Sequence, residues 1–258
     1  LIILTNWSED FDGKDGKADD FQIVTAPFAP ESADQWTSIV AHEAGRLLID
    51  AFPYQDHLVW IGHHNALPFI RILSYETGVQ REINFPEEAY DLSVQEGMEY
   101  ATTKLRFTYT SMTTPRQVYD YDMSDETRTL RKSQTIPSGH NVSDYITKRL
   151  WATADDGARI PISIIYHKDT PIDGSAPALL YGYGSYGITI PASFSLTRIS
   201  LLERGFVYAI AHIRGGKECG HNWFLQGRGK HKQNTFTDFI SAAHSLIEHD
   251  YTKPGNIS

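Results

Sequence analysis

Reactive side chains meet at suggestive spacings in several places along the chain, and most of those spacings fail on inspection. Ser185 lies in the glycine-rich stretch Leu180-Tyr-Gly-Tyr-Gly-Ser-Tyr-Gly187. A serine nucleophile on a tight strand-to-helix turn has glycine two residues before it and two after. Ser185 has Tyr183 at the first of these positions, and no serine in the chain has glycine at both. It reads as a turn residue. Cys219 is the single cysteine, with His212 and His221 near it in sequence. A thiolate needs such a base, but a small residue filling a loop is the simpler reading. His42-Glu43-Ala-Gly-Arg46 opens like a zinc-protease helix and then places arginine where the second histidine is required. His63 and His64 are neighbours in a strand-like run, so they face opposite sides and make a poor ligand pair. Asp10 to Asp20 is rich in aspartate and glycine, yet Lys14 breaks the spacing of a calcium loop. A solvated acidic loop is expected there. Arg228-Gly-Lys-His-Lys232 reads as a solvated basic loop. These tests leave no metal set and no cofactor motif.

Two stretches survive. Gly182 and Gly184 let the backbone turn sharply after the apolar run Ala178-Leu-Leu-Tyr, so a side chain can project over the strand ends. Arg214-Gly-Gly216 follows a second apolar run, Phe206-Val-Tyr-Ala-Ile-Ala. Arg214 is expected to pair with an acidic partner and hold this loop in shape rather than touch a substrate. Asn222-Trp223 reads as loop hydrogen bonding, and Asn234 as a helix N-cap donor.

The elements that must position these residues fall into two patterns. Up to about Lys132, short strands alternate with Pro, Asn and Gly turns: Arg46 to Phe52, His57 to His63, Phe69 to Tyr75, Gln80 to Phe85, then Ala89 to Val94, Leu105 to Ser111, Gln117 to Asp122 and Arg128 to Lys132. The turn at Tyr75-Glu-Thr-Gly recurs in degenerate form after Tyr121, a period that suits four-stranded propeller blades. Leu1 to Trp36 is expected to hold part of a further blade. Beyond Asp144, strands and helices alternate. Ile160 to His167, Ala178 to Tyr181 and Phe206 to Ala211 are strands, and Leu196 to Arg204 is a helix with Gly205 as its C-cap. Thr235 to His249 places Phe236, Phe239, Ile240, Ala243 and Ile247 on one helical face. The expected fold is therefore mixed: all-β propeller blades over residues 1–143, then the N-terminal half of a doubly wound α/β-hydrolase sheet over 144–258. The Phe206 to Ala211 strand is expected to be left as an open edge.

Composition excludes several classes. With 41% hydrophobic and 21% charged residues the chain is an ordinary globular sequence. Its net charge of −9, with no long basic run, argues against a nucleic-acid partner. No run of 18 apolar residues suggests a membrane helix. One cysteine and an opening Leu-Ile-Ile-Leu without signal-peptide features point to the cytoplasm, with a periplasmic setting the alternative. That opening reads as the inside of a strand, as though the sequence begins within a longer one.

Six stretches resemble, in order, the prolyl oligopeptidase family of serine peptidases, and within it the oligopeptidase B branch. They are Ser111-Met-Thr-Thr-Pro115, Arg149-Leu-Trp-Ala-Thr-Ala-Asp-Asp-Gly157, Leu180 to Gly187, Leu201-Leu-Glu-Arg-Gly-Phe-Val-Tyr-Ala209, Ile213-Arg-Gly-Gly216, and Lys232-Gln-Asn-Thr-Phe-Thr-Asp238, with looser likeness before Phe107. The resemblance implies hydrolysis of short peptides after Arg or Lys through an acyl-enzyme, without cofactor or metal. It implies that Tyr183 donates its hydroxyl to the developing oxyanion and that Tyr186 lines the primary specificity pocket. It places the catalytic serine, aspartate and histidine beyond Ser258, in a remaining half of the hydrolase domain that becomes this chain's partner. Two departures stand out. Lys217 interrupts a glycine run usual in the family, and Pro191 and Ser193 replace the two acidic residues that bind a second basic residue in oligopeptidase B. A non-catalytic propeller-bearing binding protein, or a proline-specific member of the family, is the alternative.

Overall fold

The structure, a computed structural model, describes residues 1–7, 18–29, 31–32, 35–97 and 99–258. Most of the acidic stretch from Asp10 therefore lies outside the described residues. Three antiparallel sheets come first. One holds β1 (Ile2–Thr5), β2 (Gln22–Thr25) and β3 (Thr37–Val40). The next is a four-stranded meander of β4 (Arg46–Pro53), β5 (His57–His64), β6 (Leu67–Ser74) and β7 (Gln80–Glu82). A second meander follows, built from β8 (Tyr90–Gln95), β9 (Lys104–Ser111), β10 (Gln117–Asp122) and β11 (Arg128–Ser133).

These are propeller blades. Val59, Ile61, Ile70 and Ile72 of one pack on Leu92, Leu105, Phe107 and Tyr109 of the other, each fully buried side chain contributing roughly 1.5–3 kcal/mol. The recurring turn is the hairpin between third and fourth strands. Gly78 takes the left-handed conformation (φ 68°) in the first blade, and Glu126 (φ 63°) takes it in the second. The amide of each bonds back to the last residue of its third strand, Gly78 to the Ser74 carbonyl and Glu126 to that of Asp122. The geometry persists although the glycine does not, which is why the repeat is degenerate in sequence.

The fourth sheet runs in the order β12-β13-β15-β14, from β12 (Tyr145–Thr153), β13 (Arg159–His167), β14 (Ala178–Tyr181) and β15 (Val207–Ala211). It opens the hydrolase domain, with α1 (Leu196–Leu202), α2 (His221–Leu225) and α3 (Gln233–Glu248) around it. The expectation of an open edge at β15 is wrong. The crossover through α1 brings β15 between β13 and β14, so its apolar run is buried in the middle. The edge is β14, against which Asn256 and Ser258 make the first bonds of a further pairing.

The inward face of α3 also differs from the hydrophobic stripe. Thr235, Asp238, Ala242, Ser245 and Leu246 are buried, while Phe236 and Ile240 are more than half exposed (55% and 54%). Asp238 turns inward because it pairs with Arg214, and the helix face follows it. Helix α1 stops at Leu202, with Glu203 as the C-cap; Gly205 takes the left-handed turn (φ 82°) two residues later.

Blades and hydrolase sheet are joined by a side-chain plug. Met112, at the end of β9, is fully buried among Ala89, Ile165, Ala192, Leu202 and Ile210. Around it, Glu88 accepts from Lys148 Nζ and the Arg149 amide, both at 2.9 Å, and the Ala66 amide donates to the Glu218 carbonyl at 2.8 Å. Asp20, expected in a solvated loop, is buried and accepts from the amides of Gly45 (2.6 Å) and His221 (2.5 Å). It thereby supplies the first amide of α2 with the partner that Gly220, lacking a side chain, does not.

Candidate active site

The Tyr-Gly-Tyr-Gly turn leaves the C-terminal end of β14, next to the loop that leaves β15. In an open α/β sheet this is the rim where ligands bind. Gly184 is in the left-handed region (φ 61°), and a Cβ there would lie 2.4 Å from Thr235 Cγ2 and 2.7 Å from Ile213 Cγ1. A Cβ on Gly182 would come within 2.9 Å of the Phe239 ring. The glycines thus let the turn sit directly on α3. Tyr183 is exposed, and its hydroxyl has no hydrogen-bond partner among the described residues. Tyr186 takes a positive φ (56°), uncommon for a bulky residue, and its ring is 83% exposed. Such strain persists where surrounding contacts enforce it; here the next amide, Gly187 N, bonds to the Gly215 carbonyl at 2.9 Å.

Arg214 lies beneath this rim. Its guanidinium bonds to Asp238 (NH2 to Oδ1, 2.6 Å) and to the more exposed Asp156 (NH1 to Oδ2, 2.5 Å), and its own amide donates to Asp238 Oδ2 at 3.0 Å. The hydrogen bond it donates to Asp238 is the main reason its affinity for the proton is raised further. The Asp156 carboxyl is lowered in turn, chiefly by its hydrogen bond from Arg214. Arg214 touches no open space where a substrate would lie; its side chain is 3% exposed. Gly215 (φ 102°) approaches so closely that a Cβ would stand 2.0 Å from the Gly184 carbonyl oxygen. The two surviving stretches are therefore one unit, stacked backbone to backbone.

Sequence reasoning missed two contributors, Lys232 and Thr235, and left the acidic partners of Arg214 unnamed. Lys232 is not a solvated residue of a basic loop. It reaches under the tyrosine turn and donates to the Gly184 carbonyl (2.5 Å), Ser185 Oγ (2.7 Å) and Thr235 Oγ1 (3.2 Å). Thr235 Oγ1 stands 2.8 Å from the Arg214 carbonyl and 3.2 Å from that of Gly227. The signal was present as two polar residues three apart, Thr235 and Asp238, on the buried face of a helix. Asn234 is no N-cap: α3 starts one residue earlier, and its side chain bonds to the Gln226 carbonyl at 2.9 Å. Trp223 donates its indole N–H to the His212 carbonyl at 3.1 Å.

The other candidates are inert. Burial pushes the Cys219 thiol up to about 12, so it holds its proton at neutral pH. Ser163 Oγ and His212 Nε2 lie 2.9 Å apart, a contact the sequence did not suggest, but both are buried and the other ring nitrogen of His212 has no partner among the described residues. Burial lowers that imidazole to about 3 and no carboxylate orients it, so the pair is a core hydrogen bond rather than a nucleophile and base. His63 is lowered to about 4 by burial, while His64 lies beside Arg46. Glu43 and Arg46 form an ion pair at 3.0 Å at the start of β4, not a helix.

Propeller blades joined to the opening strands of a hydrolase sheet, with a tyrosine-bearing loop on its rim, define a propeller–hydrolase architecture. The sequence profile described as "Prolyl oligopeptidase, N-terminal beta-propeller domain" matches residues 11–134, and that of the "Prolyl oligopeptidase family" matches 192–258. The chain belongs to the prolyl oligopeptidase family. It is 39% identical to dipeptidyl aminopeptidase BI of Pseudoxanthomonas mexicana over 243 residues, 93% of this chain and 33% of that one. It is 32% identical to protease 2 of Moraxella lacunata over 254 residues, 98% of this chain and 35% of the relative. Oligopeptidase B from Leishmania major has the same fold over the whole chain, with a TM-score of 0.87 and 32% identity, the match covering 36% of that structure. The chain spans about a third of the length of the relatives it matches.

Proposed function

We propose that these 258 residues form part of a serine oligopeptidase that hydrolyses short peptides after Arg or Lys. In this reading the boundary near residue 143 separates a propeller, which caps the cleft, from a hydrolase domain whose serine, aspartate and histidine lie in sequence outside this chain. Tyr183 donates a hydrogen bond to the oxyanion, Tyr186 lines the primary pocket, and Arg214 supports the loop that carries them. The single cysteine favours a cytoplasmic setting. The observation that carries the reading is the Tyr183 turn. A phenol hydroxyl without a partner among the described residues stands at the strand-end rim on a closely packed backbone. A fixed donor of this kind is what charge development on a carbonyl oxygen requires.

The purified 258-residue chain is expected to leave an Arg-aminomethylcoumarin peptide intact, and turnover by it overturns the placement of the triad. In the full-length enzyme, Tyr183→Phe should lower kcat by about 100-fold, the usual worth of an oxyanion donor. A loss under threefold removes Tyr183 from the role. The likeness to a dipeptidyl aminopeptidase favours a second reading, removal of dipeptides from a free N-terminus. An N-acetylated Arg substrate separates the two, because an endopeptidase cleaves it and a dipeptidyl aminopeptidase does not.

A further inference from the structure

Lys232 has the surroundings of a working part rather than a solubilising one. It immediately precedes α3, lies 47 residues along the sequence from Ser185, and is half-buried. Its three ammonium protons find three acceptors: the Gly184 carbonyl at 2.5 Å, Ser185 Oγ at 2.7 Å and Thr235 Oγ1 at 3.2 Å. Two of those acceptors belong to Gly184 and Ser185, the residues that follow Tyr183. The third belongs to the helix on which Gly184 is packed, and its hydroxyl also reaches the Arg214 carbonyl at 2.8 Å. Ser185 beside a lysine invites the idea of a serine–lysine nucleophile pair. The geometry argues otherwise: with all three protons engaged, the nitrogen has no lone pair to take the serine's proton.

We infer that Lys232 is a positioning residue for Tyr183: it clamps the Gly184-Ser185 backbone to α3 so that the tyrosine hydroxyl is already in place when the oxyanion forms. The inference rests on the oxyanion role proposed above. It extends that role to a residue that touches no substrate. The clamp joins the tyrosine turn to the start of α3, Thr235 Oγ1 carries the connection on to the Arg214 loop, and no other described side chain bonds to both Gly184 and Ser185. Such preorganisation acts in the transition state, so its loss should appear in kcat and leave KM nearly unchanged.

The test is a double-mutant cycle in the full-length enzyme, with kcat expressed per active site by titration of the serine. Lys232→Met should lower kcat by at least about 10-fold while KM moves less than twofold, and adding it to Tyr183→Phe should cost less than about twofold more. Lys232→Arg, which keeps the charge and the donors, should recover at least a third of the parent kcat, and it serves as the readable variant if the methionine variant does not fold. Full additivity of the two losses, an unchanged kcat in Lys232→Met, or no recovery with arginine overturns the inference while the oxyanion role stands. If Tyr183→Phe alone keeps kcat within threefold, the oxyanion role fails and takes the inference with it.

Discussion

The Arg214 guanidinium and the Asp238 carboxylate meet at 2.6 Å with their side chains 3% and 0% exposed, a buried ion pair between the loop after β15 and the second turn of α3. Removing one member of such a pair leaves an uncompensated charge in low dielectric, which typically costs 3–5 kcal/mol. Asp156, the remaining partner, is half exposed and offsets only part of that. Asp238→Ala should therefore lower the unfolding free energy by about 3–5 kcal/mol in urea titrations. Asp238→Ala with Arg214→Met should be milder than Asp238→Ala alone, because the stranded charge is gone. A double variant less stable than the single one contradicts this account.

Gly184 and Gly78 separate two effects of a missing side chain. Both have positive φ, 61° and 68°, but a Cβ on Gly78 meets nothing within 4 Å, while one on Gly184 strikes Thr235 at 2.4 Å. Gly78→Ala should cost about 1 kcal/mol, backbone strain alone. Gly184→Ala adds overpacking of about 1–3 kcal/mol and displaces the Tyr183 turn. Thermal unfolding of the two variants should rank them in that order, and only Gly184→Ala should depress the activity of the full-length enzyme. Equal shifts would mean that contact with α3 does not fix the turn.

Glu218 gives the protein a pH dependence of opposite sign to that of most carboxylates. Burial pushes its carboxyl up to about 7, one oxygen accepting from the Ile190 amide at 3.2 Å and the other without a partner among the described residues. Between pH 4.5 and 7 the folded chain keeps this proton and the unfolded chain gives it up. Stability therefore falls as pH rises through that window and levels off above it. The shift corresponds to about 3 kcal/mol. Glu218→Gln should remove this decline, gaining on the parent at pH 8 and not at pH 4.5. Parallel stability curves for the two proteins between these pH values would refute the assignment.

How much of this was legible in the sequence depends on the range of the interaction. Strand positions in both blades, the buried run of β15 and the turn at Gly182 and Gly184 are local patterns of period and punctuation, and they are found where expected. Strand order was not legible, because the crossover that puts β15 inside β14 is decided by packing across the sheet. The face of α3 was misjudged for a related reason. Asp238 is polar, and only its distant partner Arg214 makes it an inward residue. Lys232 was hidden in a basic cluster whose other members are exposed. The same limit applied to Asp20, whose amide partners at Gly45 and His221 lie far along the chain.

The stretch Ser111-Met-Thr-Thr-Pro115 carries the last prediction, since the fold gives it a reason beyond resemblance. Glu87 stands at its centre. One carboxylate oxygen accepts from Ser111 Oγ at 2.7 Å and from Thr113 Oγ1; the other accepts from Thr114 Oγ1 at 3.1 Å and from the Tyr109 hydroxyl. Burial, followed by this bond to Glu87, raises the Tyr109 phenol well above its ordinary range. The cage fixes the turn whose Met112 plugs the hydrolase sheet. Glu87→Ala would leave four hydroxyls competing for lost partners, at about 1–3 kcal/mol for each that stays dry. It should destabilise the protein by at least about 3 kcal/mol and speed proteolytic cleavage between the blades and β12. Met112→Ala, which empties the plug but keeps the cage, should cost about 2–5 kcal/mol and speed the same cleavage. If either variant unfolds at the parent's urea midpoint, the turn is not what holds the two halves together.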